Sequence, residues 1–292
     1  MKTLMTCLFL LFVIACNNRN KNKNRYTETS EEMVLSEKEK NATFSEENLE
    51  PDKEKTKAIK REQLTNKGVE PIDNEYKVVV KELYKEHDHY ILDYRYPYID
   101  EEKNPGFSVF NTYIKEVYLD IKKTENQILE DKELLCDTLK IERLRDKRIL
   151  DCKVHTANRN LLSIVLYREN YYFGMKSSIY TFDCLNFDIK KDQFMYYQDL
   201  FRNESEEALF LIINTTISNA IREGELYYDC WELSEGDFKA YKNNFVINKE
   251  AIEFYFDDCV ICPSYTGTYA VKIPISTIQH LIKKDEDILL FR

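Results

Sequence analysis

The sequence predicts an α+β fold: antiparallel sheets with a few packed helices, arranged as two successive strand-helix modules. Two observations carry this expectation. Short runs rich in β-branched and aromatic residues are interleaved with stretches whose apolar residues recur every three or four positions. Their order is strands, helix, strands, then helix, strands, helix, which disfavours a doubly wound parallel sheet, where strands and helices alternate singly.

The elements follow in order. YKVVVKELY (76–84) and HYILDYRYPY (89–98) read as strands. Phe107, Phe110, Ile114, Val117, Tyr118 and Ile121 form the stripe of an amphipathic helix. ILDCKVHTA (149–157) and NLLSIVLYRENYYF (160–173) read as a strand pair around a polar turn, and SIYTFDCLNFDI (178–189) as a further strand. A second helix carries Leu209, Ile212, Ile213, Thr216, Ile217 and Ala220 on one face, with Asn203 or Ser205 as its cap. FVINKEAIEFYF (245–256) reads as a hairpin turning at Asn248-Lys249-Glu250, and YAVKIPI (269–275) as a strand. Ser276 followed by Gln279 has the spacing of a capping box, predicting a short last helix through Ile282.

Ahead of these elements lies a segment of another kind. Residues 17–75 are rich in Asn, Lys, Glu, Ser and Thr, with Tyr26 and Phe44 as their only aromatics, while nearly all of the 21 tyrosines follow Glu75. Such a composition buries too little apolar surface to offset its ordering entropy and predicts a disordered tether. At the start, MKTLMTCLFLLFVIACNN has a basic Lys2 and an apolar run from Leu4 to Ile14, the length of a signal-peptide core and short for a membrane span. Val13-Ile14-Ala15-Cys16 resembles the lipobox of bacterial lipoproteins. The resemblance implies a signal peptide over 1–15, lipidation of Cys16, a lipid-anchored tether over 16–75, and a folded region held extracytoplasmically in the bacterial cell envelope. The other reading is an ordinary signal peptide with an incidental cysteine.

Export shapes the cysteine arithmetic. Beyond Cys7 and Cys16 remain Cys136, Cys152, Cys184, Cys230, Cys259 and Cys262. An even number in an exported chain favours disulfides, but six cysteines allow 15 pairings. Net charge is −10; this disfavours nucleic acid, eases a cationic partner, and is also what simple solubility requires.

Longer stretches carry a second resemblance. "YRYPYI" followed by a helix with "FNTYI", and then "LLSIVLYRENYYFG…LNFD…YQDLF", resembles the non-catalytic module first named from the peptidoglycan deacetylase PdaC. "NNFVINKEAIEFYFDDCVICPSYTGTYAVKIPISTI" is similar to the C-terminal module of RsiV-like receptors. Together they span roughly residues 78–285, and imply a PdaC-type module over 76–175 and an RsiV-like module over 176–292. RsiV is an anti-sigma factor that binds lysozyme. The chain departs from both models: it shows no sigma-binding segment, transmembrane helix or deacetylase domain. Tyr172-Phe173-Gly174-Met175-Lys176 also lacks the family's histidine. A receptor-like fold is what carries over.

The candidates for chemistry are few. Cys259-Val260-Ile261-Cys262-Pro263 has CxxC spacing, but no helix pattern follows it to lower a thiol pKa, so a structural disulfide is favoured over redox catalysis. The bond could lie within the motif or reach Cys230 or Cys184. His87-Asp88-His89 could begin a metal site, though a polar turn explains it as well. Asp257-Asp258 reads as a solvated turn, and Tyr94, Tyr96 and Tyr98 as one face of a strand, either core or contact surface. No catalytic residue, metal site or cofactor is assigned. The expectation is a non-enzymatic envelope lipoprotein, anchored in the membrane by its lipid, that binds an extracytoplasmic protein or peptidoglycan. The binding loop would be Pro263, Ser264, Tyr265, Gly267 and Tyr269. The alternative is an envelope enzyme acting on cell-wall glycan or thiols.

Overall fold

The computed structural model describes residues 78–133, 145–172 and 178–283. Cys16, the tether and Cys136 lie outside the described residues. A mixed α+β architecture is observed, with two sheets.

The first sheet has six strands in sequence order: β1 (Val78–Glu86), β2 (Tyr90–Ile99), β3 (Asp146–Ala157), β4 (Leu161–Tyr171), β5 (Ile179–Asp188) and β6 (Gln193–Phe194). Its pairings are antiparallel except β2 with β3, which is parallel over Tyr90–Tyr94. That exception has a cause in the connection: two helices, α1 (Phe107–Tyr118) and α2 (Ile121–Glu133), lie between these strands and return the chain to the same end of the sheet. The second sheet is antiparallel, in the order β7 (Phe245–Ile247), β8 (Ala251–Tyr255) and β9 (Ala270–Pro274). Between the sheets in sequence run α3 (Tyr197–Leu200), α4 (Glu206–Glu223) and α5 (Glu235–Tyr241), and α6 (Ile275–Ile278) follows β9.

Alternation along the strands sorts the side chains into layers. Leu92, Leu150, Leu162, Ile164, Leu166 and Phe187 face one way and pack against Phe107, Phe110, Ile114 and Ile128 of α1 and α2. The opposite face turns Val165, Tyr167 and Phe182 toward Val246 and Tyr255 of the second sheet and Tyr269 just before β9. The far face of that second sheet, with Phe245, Ile252, Phe254 and Ile273, covers Leu209, Ile213 and Ile217 of α4. The order is therefore helices, six-stranded sheet, three-stranded sheet, helix.

Two strand edges are closed by side chains instead of strands. On β7, the Ile247 N–H donates to Ser163 Oγ at 2.8 Å, and Thr156 Oγ1 and Asn186 Nδ2 donate to the Ile247 and Phe245 carbonyls at 2.6 and 2.7 Å. On β5, the Cys184 N–H donates to Asn244 Oδ1 at 2.7 Å and the Phe182 N–H to Asp257 Oδ1 at 2.9 Å. Buried edge groups are thus satisfied, and each edge is withheld from further strand pairing.

Several expectations are corrected. The boundary expected at 175/176 falls inside the first sheet, because β5 pairs with β4 along Leu161–Asn170. Val117, placed on the buried stripe, is 54% exposed, because α1 ends at Tyr118 and Ile121 begins a separate helix. Tyr94, Tyr96 and Tyr98 do not share one buried face: Tyr94 is buried, but beyond it Pro97 and Ile99 take the inward positions. The capping box at Ser276 does not form. Pro274, extended at ψ 136°, ends β9 and takes the N-cap position itself, which puts Ser276 inside α6.

Candidate functional site

The loop containing CVICPSYTGTY runs from the end of β8 to β9, and it is braced against the loop joining α4 to α5. Local chemistry sets up both. Gly224 ends α4 in the left-handed region at φ 77°, its N–H bonding the Ala220 and Ile221 carbonyls, and turns the chain outward. Ser234 starts α5 by accepting a hydrogen bond from the Asp237 N–H at 3.1 Å. Between these caps lie Tyr227, Tyr228, Asp229, Cys230 and Trp231. In the other loop, a 3-10 turn over Ser264–Thr266 closes on Gly267 at φ 68°, a conformation that favours glycine.

A disulfide joins Cys230 to Cys262 across the two loops. Hydrogen bonds run beside it, from the Trp231 N–H to the Ile261 carbonyl and from Trp231 Nε1 to the Val260 carbonyl, both at 2.9 Å. Tyr265 completes the brace by donating its hydroxyl to Asp229. That bond raises the Tyr265 phenol to about 12, because the carboxylate favours the protonated form. Behind the surface, Asn214 of α4 holds Leu233 with two bonds, at 2.8 and 3.0 Å.

Aromatic rings stand outward on this braced platform. Tyr228 is 83% and Tyr265 61% exposed, with Tyr227 and Trp231 also exposed. Tyr227 meets Tyr265 edge to face, with ring centroids 6.3 Å apart. Asp229 and Glu232 lie among them in sequence, and Glu232 accepts from Ser218 Oγ at 2.5 Å.

The predicted site residues fall in different places. Tyr265 presents its ring to solvent, Pro263 is half-buried, and Ser264 Oγ donates to Asp258 at 2.8 Å. Tyr269 is only 4% exposed, and its ring packs 4.8 Å from Phe182 and 5.8 Å from Tyr180. It is a core residue, because it immediately precedes β9 on the face that meets the first sheet. Of the candidate disulfide cysteines, Cys230 and Cys262 pair, while Cys152, Cys184 and Cys259 are thiols. Cys152 is buried on β3 and Cys184 partly buried on β5. Burial pushes the Cys152 thiol up to about 12 and raises that of Cys184 too. Asp257 is not a solvated turn but part of the β5 edge seam. His87 stacks on Tyr90 at 4.8 Å, and among the described residues no three His, Cys, Asp or Glu side chains gather to hold a metal. Tyr227, Tyr228 and Trp231 were not among the expected site residues; the usable signal was the chain's one tryptophan beside a cysteine.

Two small clefts lie elsewhere. One, of about 280 Å³, is lined by Tyr94, Lys123, Arg148, Arg168 and Tyr172 among others. The second, of about 240 Å³, is lined by Tyr113, Tyr118, Asp183, Tyr241 and Asp257 among others. Tyr118 lines both, and the Arg168–Asp183 ion pair, at 2.8 Å, joins a lining residue of each. Burial raises the Asp183 carboxyl above its usual range, and Arg168 opposes the shift. Both volumes fall below the roughly 300 Å³ where small-molecule sites begin.

Fold and surface together define a class: an α+β domain of two stacked sheets with a disulfide-braced aromatic surface at one end of the second. Residues 198–276 match the model of a family described as a protein of unknown function, DUF3298. That segment contains α4, α5, both braced loops and all of β7–β9. The chain is similar in fold to the crystal structure of a DUF3298 family member from Bacteroides fragilis, with a TM-score of 0.53 and 18% identity over 74% of this chain and 96% of that one. It is likewise similar to a DUF3298 family protein from Pseudomonas aeruginosa, with a TM-score of 0.50 and 15% identity over 76% and 97%. A search of curated proteins found no match. Among the described residues no helix is long and apolar enough to cross a membrane.

Proposed function

We propose that the chain is a non-enzymatic cell-envelope lipoprotein, anchored through lipid on Cys16, whose folded region binds a protein or cell-wall ligand. The observation that carries this is the rigid display of Tyr227, Tyr228, Trp231 and Tyr265 on two loops held by the Cys230–Cys262 disulfide. Exposed aromatic rings that are already ordered lose little entropy on contact, and Tyr and Trp dominate binding energy at interfaces. The chain's net charge of −10 favours a cationic partner. The resemblance to RsiV-like receptors supports a lysozyme-like protein as that partner, and the lipobox resemblance supports display outside the cytoplasm.

The test is biolayer interferometry of the immobilised full chain against hen lysozyme, with pelleting on purified peptidoglycan alongside. Tyr227→Ala, Tyr228→Ala and Tyr265→Ala combined should weaken binding at least tenfold, about 1.4 kcal/mol or more. Binding to neither ligand, or equal binding by the triple variant, overturns the proposal. A second reading, glycan hydrolysis, draws on the carboxyls of Asp183 and Asp257 lining one cleft. Release of reducing sugar from peptidoglycan that is lost in Asp183→Asn would favour it over binding.

A further inference from the structure

The pairing of Cys230 with Cys262 leaves Cys259, the other half of the CxxC, as a thiol. Cys259 is exposed, whereas Cys152 is buried and Cys184 is largely covered. It is therefore the described thiol most open to solvent and to reaction with a disulfide. It lies three residues before a disulfide sulfur, in a turn closed by the Val260 N–H on the Asp257 carbonyl at 3.3 Å. Its backbone sits in the left-handed region at φ 62°, which a residue with a Cβ adopts only when its surroundings hold it there. A free thiol thus stands three residues from Cys262, whose sulfur is bonded to Cys230.

We propose that Cys230, Cys259 and Cys262 form an intramolecular thiol–disulfide exchange site. The Cys259 thiol gives its proton to water, and its thiolate attacks Cys262 Sγ. A Cys259–Cys262 bond forms as the Cys230–Cys262 bond breaks, and Cys230 leaves as a thiolate that takes up a proton. One thiol and one disulfide stand on each side, so no oxidant or reductant is consumed. The product is a closed CxxC in the β8–β9 loop and a released α4–α5 loop, held to its neighbour by the Trp231 and Tyr265 hydrogen bonds alone. Release would loosen the aromatic surface; that consequence rests on the binding function proposed above, while the exchange does not.

The experiment is a cysteine map of the full chain. Native protein is incubated without added thiol between pH 6.5 and 8.5, quenched in acid, denatured, alkylated with N-ethylmaleimide, digested and analysed by mass spectrometry. Two species are expected: alkylated Cys259 with a Cys230–Cys262 bond, and a minor fraction, about 0.1–10% of chains, with alkylated Cys230 and a Cys259–Cys262 bond. The approach to that ratio should quicken as pH rises across this range, because the thiolate is the attacking form. Cys259→Ser should abolish alkylation of Cys230. Absence of the second species in wild type overturns the proposal. So does alkylation of Cys230 in folded Cys259→Ser, or pairing of Cys230 with Cys136. The wild-type map decides even where the variant does not fold, and it needs no ligand, so failed exchange and failed binding are separately visible.

Discussion

Removing the Cys230–Cys262 bond measures what the brace contributes. The two cysteines are 32 positions apart. For a loop of that length the chain-entropy relation gives about 3.7 kcal/mol at 25 °C, through restriction of the unfolded chain. Domains of roughly 150–250 residues lose about 2–4 °C of Tm per kcal/mol, so the expected fall is about 7–15 °C. The perturbation is the Cys230→Ala/Cys262→Ala double variant; a single variant would leave the remaining cysteine free to pair with Cys259. Scanning calorimetry of the variant is compared with wild type, oxidised and under reductant. Reduced wild type keeps both sulfurs in place and so controls for the small cavities that Ala leaves at two buried sites. The two perturbed samples should agree within about 1 kcal/mol. A fall below about 2 °C in both would refute the reasoning, since the crosslink would then not restrict the unfolded chain by the expected amount.

Further outcomes follow from other buried groups. His155 is buried against Tyr255, and burial pushes its pKa down from 6.5 to about 3. A neutral folded imidazole stabilises fully above 6.5 and loses that contribution as pH falls from about 6.5 toward 3. The unfolding free energy from urea titration should therefore drop over this window by up to about 1.4 kcal/mol per pH unit, with a shallower slope in His155→Phe. Asn244 accepts from the Cys184 N–H and donates to the Phe182 and Tyr255 carbonyls, both at 2.9 Å. Asn244→Ala strands these groups and should cost at least about 2 kcal/mol by denaturant titration, with faster amide exchange at Cys184 than in wild type.

The period of the apolar residues made most strands and both long amphipathic helices legible, because burial of one face is a local property of the chain. What joins the layers was not legible. Ser163, Asn186, Asn244 and Asp257 are turn-forming or polar types anywhere in a sequence, and only the approach of a distant strand edge gives them partners. The helix over Ile121–Glu133 escaped for a related reason. It is polar on nearly every side, with Ile128 as its fully buried anchor, so its stability comes from docking and not from a stripe. The braced loop shows both effects at once. Tyr265 and Tyr269 are alike in sequence and four positions apart, yet one faces solvent and the other the core. Gly267 turns the chain between them, and Tyr269 lies just before a strand whose inner face is already committed to the six-stranded sheet. The disulfide partner was legible only as one of three alternatives, the motif itself, Cys230 or Cys184, because the pairing depends on which loops meet in the fold. The structure pairs Cys262 with Cys230, which fastens the aromatic α4–α5 loop to the β8–β9 loop and leaves Cys259 a thiol three residues before the bond. The two proposals are linked by that one choice of partner: the same bond that orders the aromatic rings is the bond a neighbouring thiol can open.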